Sequence, residues 1–466
     1  MIILGQMKTL LLTVDALRAD HLGQYGYERD TMPVLDDLVD AGTKFQAAFS
    51  NGTYTRISVP SFQTSRYLAY ENLDAIPKLA PILEGAGTET AVIGTQTGIG
   101  LVHGGFEYGE TIDLGRDEYY DEANRDRSAS DLILYRVNKI ASKVSQGLQR
   151  RGADRVYDLL KRPYRRLYPE TPFEHSGYTS AEIVTNRVID WFEEKEHEDF
   201  FLWVHYMEAH RPYGVHDDDP EYLDGPVERE RIRNLMKTAG TDPDAVSGAD
   251  RQLMIDLYDS DVRYCSRHVS RLFDYFRDAG LWDELNVLFS SDHGEEFYEH
   301  GSYYHRNYPY DELINVPLVV KRADDPADGE TVTEQRQLLD LVPTICKLHG
   351  VEPDGYDFRG IPLFEGDSRD VVALGQPNDR DPAVAIRADD WKYIVTGGDD
   401  LLYDLDNDPK ETENVAAENP SVVSRLERRI PDHLYERDAE SPREPEDEVD
   451  REQLEALGYM ELRDDS

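Results

Sequence analysis

An acid placed directly behind an apolar run is the first feature of this chain that could do chemistry. Asp15 follows the run Lys8 to Val14, and Asp292-His293-Gly294 follows the run Leu285 to Phe289 and two serines. Two carboxylates and an imidazole at strand ends can turn toward one ion, with the glycine letting the backbone bend sharply beside them. Such a donor set suits a hard divalent cation, Mn²⁺ or Mg²⁺ first, then Ca²⁺ or Zn²⁺. Taken alone, Asp-His-Gly also reads as a capping Asp beside a loop histidine. Ser58-Val59-Pro60-Ser61 lies in a loop of small polar residues between Asn51 and Ser65. Pro60 fixes the backbone there and puts Ser58 at the start of the next helix. The helix dipole and free N–H groups lower the cost of an alkoxide at that position, and a bound cation lowers it further. A plain Ser N-cap is the alternative. His205 and His210 follow the run Phe200 to Val204, and His300 and His305 lie in a Tyr-rich loop. An imidazole at such a place can contact an anionic group or protonate a leaving oxygen.

The elements that must position these groups follow from hydrophobic period. Lys8 to Asp15, Thr90 to Ile93, Phe200 to Val204, Leu285 to Phe289 and Val316 to Val320 read as short buried strands. Between them, helical patterns open at Pro33, at 79, at 180–196 and at 251–279. Strands alternating with helices give an α/β fold, a doubly wound, mostly parallel sheet between helices. Ligands on such sheets sit beyond the carboxyl ends of the strands, where Asp15, His205 and Asp292 fall. Near residue 380 the rhythm changes to short antiparallel strands, Ala383 to Ala388, Trp391 to Thr396 and Leu401 to Leu405, with a terminal helix from about Ser421. The expected division is a catalytic domain over 1–375 with a basic helical insertion at about 120–175, then a C-terminal subdomain over 376–466. An acidic, Pro-containing link covers 439–453.

Composition bounds the partners. The 466 residues carry 94 Asp and Glu against 50 Lys and Arg, a formal charge of −44. A nucleic-acid partner would be repelled, so none is expected. Spread along the chain, the acid excess reads as adaptation to a salty interior, where molar salt screens charge within about 3 Å. Mean hydropathy is −0.63, and no run reaches the roughly 20 apolar residues of a membrane span. Two cysteines, Cys265 and Cys346, exclude a disulfide framework and fit a reducing, cytoplasmic location. Residues 132–168 hold ten basic residues against Asp154 and Asp158, with apolar residues at helical spacing. That segment reads either as a surface that neutralises acidic neighbours or as a peripheral contact with lipid headgroups or an anionic substrate.

The ordered set of motifs resembles the sulfatase family of the alkaline phosphatase superfamily. Val14 to Gly23 and Thr31 to Asp36 are similar to its opening, Ser58-Val59-Pro60-Ser61 to its Cys- or Ser-x-Pro-Ser nucleophile pattern, and His210-Arg211-Pro212-Tyr213 to its His-x-Pro-Tyr segment. Ser290 to Glu296 with Tyr310-Asp311-Glu312 and Val316-Pro317-Leu318 is similar to its metal stretch. Leu402-Tyr403-Asp404-Leu405, Asp408-Pro409, Glu411 and Leu457-Gly458-Tyr459 are similar to its tail. Four positions depart from the pattern. Phe62 stands where formylglycine-forming members keep Arg, Ala16 replaces the second of two acids, and Thr95-Gln96-Thr97 replaces Lys-x-His. The Lys beyond Asp-His-Gly is missing, with His305 nearby. Each lost cation would have given a charge-assisted bond of about 1.5–3 kcal/mol.

What remains, Asp15, Ser58, Asp292 and His293 around one cation, looks like the one-metal set of lipoteichoic-acid-synthase-like phosphoglycerol transferases. The resemblance implies a metal-dependent esterase for sulfate or phosphate esters with Ser58 as an unmodified nucleophile, so formylglycine is not expected. His210 is the candidate for leaving-group protonation, with His305 behind it and His205 as a substrate contact. The substrate is an anionic ester, on a sulfated or phosphorylated glycan or a lipid headgroup. A phosphoglycerol or phosphoryl transferase and a catalytically silent glycan-binding relative are the rivals.

Overall fold

The computed structural model describes residues 7–67, 76–95, 104–112, 179–214, 220–305, 307–323, 329–376, 383–398 and 400–434. The basic segment 132–168, the acidic link, Gln96-Thr97 and Leu457-Gly458-Tyr459 lie outside them.

An eight-stranded sheet runs in the order Glu330–Val332, Thr43–Phe45, Leu318–Lys321, Leu285–Ser291, Lys8–Val14, Phe200–Tyr206, Glu89–Thr95, Tyr108–Ile112. Leu318–Lys321 runs antiparallel to both its neighbours, and the remaining pairs are parallel. Every residue of Lys8–Val14, Phe200–Tyr206 and Leu285–Ser291 is buried. Strands covered on both faces need no polar alternation, which is why these runs are apolar almost throughout. On one face Leu11, Trp203 and Leu288 pack with Phe62, Leu83, Leu341 and Ile345. Phe62, the residue in place of Arg, lies edge-on to Trp203 at 5.5 Å and belongs to this core.

Register sets the site. Val14 pairs with both Tyr206 and Ser291, so the three central strands end at one level. Asp15 and Asp292 are then the next residues out, and His205 sits one residue inside the rim. The 31-residue helix Gly248–Asp278 is capped by Ser247, whose hydroxyl accepts from the Asp250 amide. From its middle, Tyr258 donates to the Ala16 carbonyl at 2.8 Å and accepts from the Arg18 amide at 2.9 Å. That clamp holds the loop in which Ala16 takes a left-handed φ of 58°.

A separate antiparallel sheet has the order Val371–Gly375, Ala383–Ala388, Trp391–Val395, Leu401–Asp404, and the helix Pro420–Glu427 follows it. Three of its strands match the expected ones. The fourth, Val371–Gly375, lies ahead of the boundary drawn at 376. It also pairs with the loop before the Thr55–Thr64 helix. Leu374 donates to Asn51 O and accepts from the Thr53 amide, both at 3.0 Å, and Asn51 Nδ2 donates to Val372 O at 2.8 Å. Among the described residues no helix is long and apolar enough to cross a membrane.

Candidate active site

Asp15, Asp292, His293 and His205 converge beyond the sheet, all fully buried. The donor atoms of Asp15, His205 and Asp292 lie within 4.8 Å of one another. His293 Nε2 stands 3.4 Å from Asp15 Oδ1 and 3.5 Å from Asp292 Oδ2, and His205 Nε2 is 3.5 Å from Asp15 Oδ2. His293 Nδ1 is 2.7 Å from the Gly294 carbonyl, an obligate acceptor, so Nδ1 carries a proton and Nε2 faces the two acids. Gly294 is required where it stands. A Cβ there would lie 2.0 Å from the Glu312 carbonyl oxygen.

The electrostatics are those of a site short of positive charge. Burial works to raise the Asp15 carboxyl, but His210, His205 and His293 together hold it down at about 2. Asp292 moves the other way, raised by burial and by the neighbouring Asp15 charge. Burial pulls the His205 imidazole down, yet its bond to Asp15 and the charge of Asp292 leave it above its ordinary value. Among the described residues, Asp15 Oδ1 and Asp292 Oδ2 are buried with no hydrogen-bond partner. Buried acids are normally paired or bound to a metal, and unpartnered oxygens facing one point fit a divalent cation.

Two further histidines flank this group. The His305 ring lies 4.7 Å from His293 and 4.9 Å from His210, centroid to centroid. His305 Nδ1 is 3.1 Å from Glu295 Oε2, and burial raises the Glu295 carboxyl well above its usual range. His210 Nδ1 lies 2.6 Å from the Arg211 carbonyl, and burial lowers this imidazole to about 4. Burial favours its neutral form, which with Nδ1 protonated presents Nε2 as an acceptor. His205, expected as a substrate contact, lies with its Nε2 3.5 Å from Asp15 Oδ2, in the group that could hold a cation.

The expected nucleophile is one turn out of place. The helix opens at Thr55, so Ser58 is its fourth residue, where the spacing had suggested the first. Ser58 Oγ donates to the Asp292 carbonyl at 2.5 Å and lies 3.1 Å from Ser50 Oγ. Thr55, outside the Ser-x-Pro-Ser motif, reaches the acids: its Oγ1 is 3.3 Å from Asp15 Oδ2 and 3.2 Å from His293 Nε2. Its signal was present in the sequence, because residues three apart share a helix face.

Known proteins agree with this architecture. A choline-sulfatase of Rhizobium meliloti (strain 1021) is 30% identical over 174 residues, 35% of this chain and 33% of the relative. The multifunctional alkaline phosphatase superfamily protein PehA of Trinickia caryophylli is 23% identical over 292 residues, 52% of this chain and 56% of PehA. The chain thus spans about a third to a half of the length of these curated relatives. Among solved structures, the phosphonate monoester hydrolase of Agrobacterium radiobacter superposes with a TM-score of 0.64 at 18% identity, covering 91% of this chain and 94% of that one. At that identity the likeness speaks for the fold alone. Residues 8–351 match the Sulfatase family, and with most of its length so matched, the chain belongs to that family.

Proposed function

We propose that this protein is a divalent-metal-dependent hydrolase of sulfate or phosphate esters that works through a hydroxyl of the Thr55–Thr64 helix. The observation that carries the reading is the pair of buried oxygens, Asp15 Oδ1 and Asp292 Oδ2, both facing His293 Nε2 and without a hydrogen-bond partner among the described residues. Asp15, Asp292 and His293, with His205 beside them, are the residues to hold the cation. A bound cation supplies neutralisation of an equatorial ester oxygen and eases ionisation of a nearby hydroxyl. The Ser-x-Pro-Ser motif nominates Ser58 for that hydroxyl in unmodified form, without formylglycine. His305, held by Glu295, is the group to protonate the leaving oxygen, and His210 Nε2 is an acceptor for water or a substrate hydroxyl.

Two kinds of neighbour bear on the substrate. The Agrobacterium radiobacter phosphonate monoester hydrolase shares the fold, and so does a protein solved with its substrate D-glucosamine-2-N,6-O-disulfate (TM-score 0.63, 15% identity, 99% of this chain). The reading therefore takes in anionic esters of sulfur or phosphorus, sulfated sugars included. The test is a panel of chromogenic aryl sulfate, aryl phosphate and aryl phosphonate esters in molar salt, with and without Mn²⁺, Mg²⁺ and Ca²⁺. Metal-dependent turnover with an unaltered intact mass is the expected result. A loss of roughly 2 Da at Ser58 would mean formylglycine instead. A protein that binds no divalent cation and turns over none of these esters would be a silent relative, and the proposal would fail.

A further inference from the structure

The hydrolase reading takes its hydroxyl, Ser58, from the motif, and the geometry points to a different one. We propose that Thr55 Oγ1, and not Ser58 Oγ, is the nucleophile. The inference rests on the hydrolase reading and adds to it the identity of the attacking atom.

Three observations carry it. Thr55 is the first residue of its helix, and its Oγ1 stands 3.3 Å from Asp15 and 3.2 Å from the inward-facing Nε2 of His293. The Ser58 proton is committed to the Asp292 main-chain carbonyl at 2.5 Å, in a residue 1% exposed. That bond steadies the backbone of a cation-holding residue, which makes Ser58 a positioning residue. Finally, the loop that aims Thr55 is fixed from several sides. Asn51 Nδ2 donates to Gln337 Oε1 and to Val372 O, both at 2.8 Å, Asn51 Oδ1 accepts from the Leu339 amide at 3.2 Å, and the Thr53 amide donates to Leu374 O at 3.0 Å. Preorganisation of this kind is what a nucleophile needs and what a passive hydroxyl does not.

The step balances without an added reactant. A bond forms from Thr55 Oγ1 to sulfur or phosphorus as the bond to the leaving oxygen breaks. The hydroxyl proton passes to solvent, and the leaving oxygen takes up a proton. Water then attacks the same sulfur or phosphorus, the bond to Oγ1 breaks, and Oγ1 regains its proton. A threonine at this place also closes the route to formylglycine there, because removing two hydrogens from a secondary alcohol yields a ketone.

The experiment is to turn over an aryl phosphate or aryl sulfate with Mn²⁺, quench in acid and map the covalent ester, an addition of about 80 Da. Trypsin cuts after Arg56, so Thr55 and Ser58 fall in different peptides. The adduct is expected on the Thr55 peptide. Thr55→Ala is expected to lose the adduct and about a thousandfold or more in rate, and Thr55→Ser to keep both in part. Ser58→Ala is expected to keep the adduct on Thr55 and to lose no more than about tenfold in rate. Calorimetry with Mn²⁺ alone checks that Thr55→Ala still folds around its ligands, with binding expected within about a hundredfold of the parent. An adduct on the Ser58 peptide, or a Thr55→Ala enzyme that outpaces Ser58→Ala, overturns the inference and leaves the hydrolase reading standing. A parent protein inactive on every ester overturns both.

Discussion

Two clusters of acids and histidine in this molecule, one buried and one half-buried, look alike as lists of residues and differ as physics. Asp15, His205 and Asp292 bring their donor atoms within 4.8 Å of one another, and so do His300, Glu312 and Glu411. The second group contains its own cation. Lys392, with a fully buried side chain, places its ammonium 2.5 Å from Asp311, 2.7 Å from Glu411 and 3.1 Å from the Pro309 carbonyl. In the first group the ion-pair partners of Asp15 and Asp292 among the described residues are histidines alone, at 3.4–3.5 Å. Proximity of acids to histidine therefore does not mark a metal site. Carboxylate oxygens that the fold leaves without a positive partner do. Glu296 shows a third solution. Burial raises its carboxyl to about 7, so it keeps its proton across the acid range while accepting from Asn307 Nδ2 and the His300 amide.

Substitutions should separate these cases, beginning with the largest effect. Asp15→Asn is expected to cut turnover about a thousandfold or more, roughly 4 kcal/mol of transition-state stabilisation, measured as kcat/KM under saturating Mn²⁺. An Asp15→Asn protein within about tenfold of the parent would break the comparison. Lys392→Met should cost about 3–5 kcal/mol in denaturant unfolding, since it takes the counter-charge from buried Glu411 and leaves Asp311 with Arg387 at 3.6 Å. A loss under about 1 kcal/mol would mean that the second group does not depend on its lysine.

Cation binding should be visible without any substrate. At a hundred times its dissociation constant, Mn²⁺ should add about 2.7 kcal/mol to the stability of the parent protein and nothing to that of Asp15→Asn, read by calorimetric melting. The smallest effect concerns pH. A carboxyl with a folded pKa above its unfolded one stabilises fully below the ordinary carboxylate range, and that contribution fades as pH rises through about 7. Glu296→Gln should flatten the stability profile between about pH 4.5 and pH 7 by about 2 kcal/mol, measured by unfolding at each pH. An unchanged slope would assign that pH dependence to another group.

The sheet was legible in the sequence because its central strands are buried on both faces and read as apolar runs. Asp15 and Asp292 were legible for the same reason, each marking the point where such a run meets the rim. Val371–Gly375 went unseen as a sheet member, since Val-Val-Ala-Leu-Gly shows no alternation and its partners come later in the chain. Thr55 was hidden differently. The Pro of Ser58-Val-Pro-Ser drew the helix start three residues too late, and the bonds that aim Thr55 come from residues 337, 339, 372 and 374, far along the chain. The second charged group was visible only as family-like spacing around Asp311 and Glu411, because nothing local links Lys392 to them.

The attachment of the Asn51–Tyr54 loop to Val372 and Leu374 has a consequence for anyone cutting this chain into parts. All the groups proposed to hold the cation or attack the ester lie before residue 310, yet the strand that steers the attacking helix comes more than sixty positions later. A shortened version ending at residue 351, the limit of the family match, would retain the whole chemical inventory while losing the jig that aligns it. Borders chosen by sequence likeness alone would thus yield a misaimed fragment.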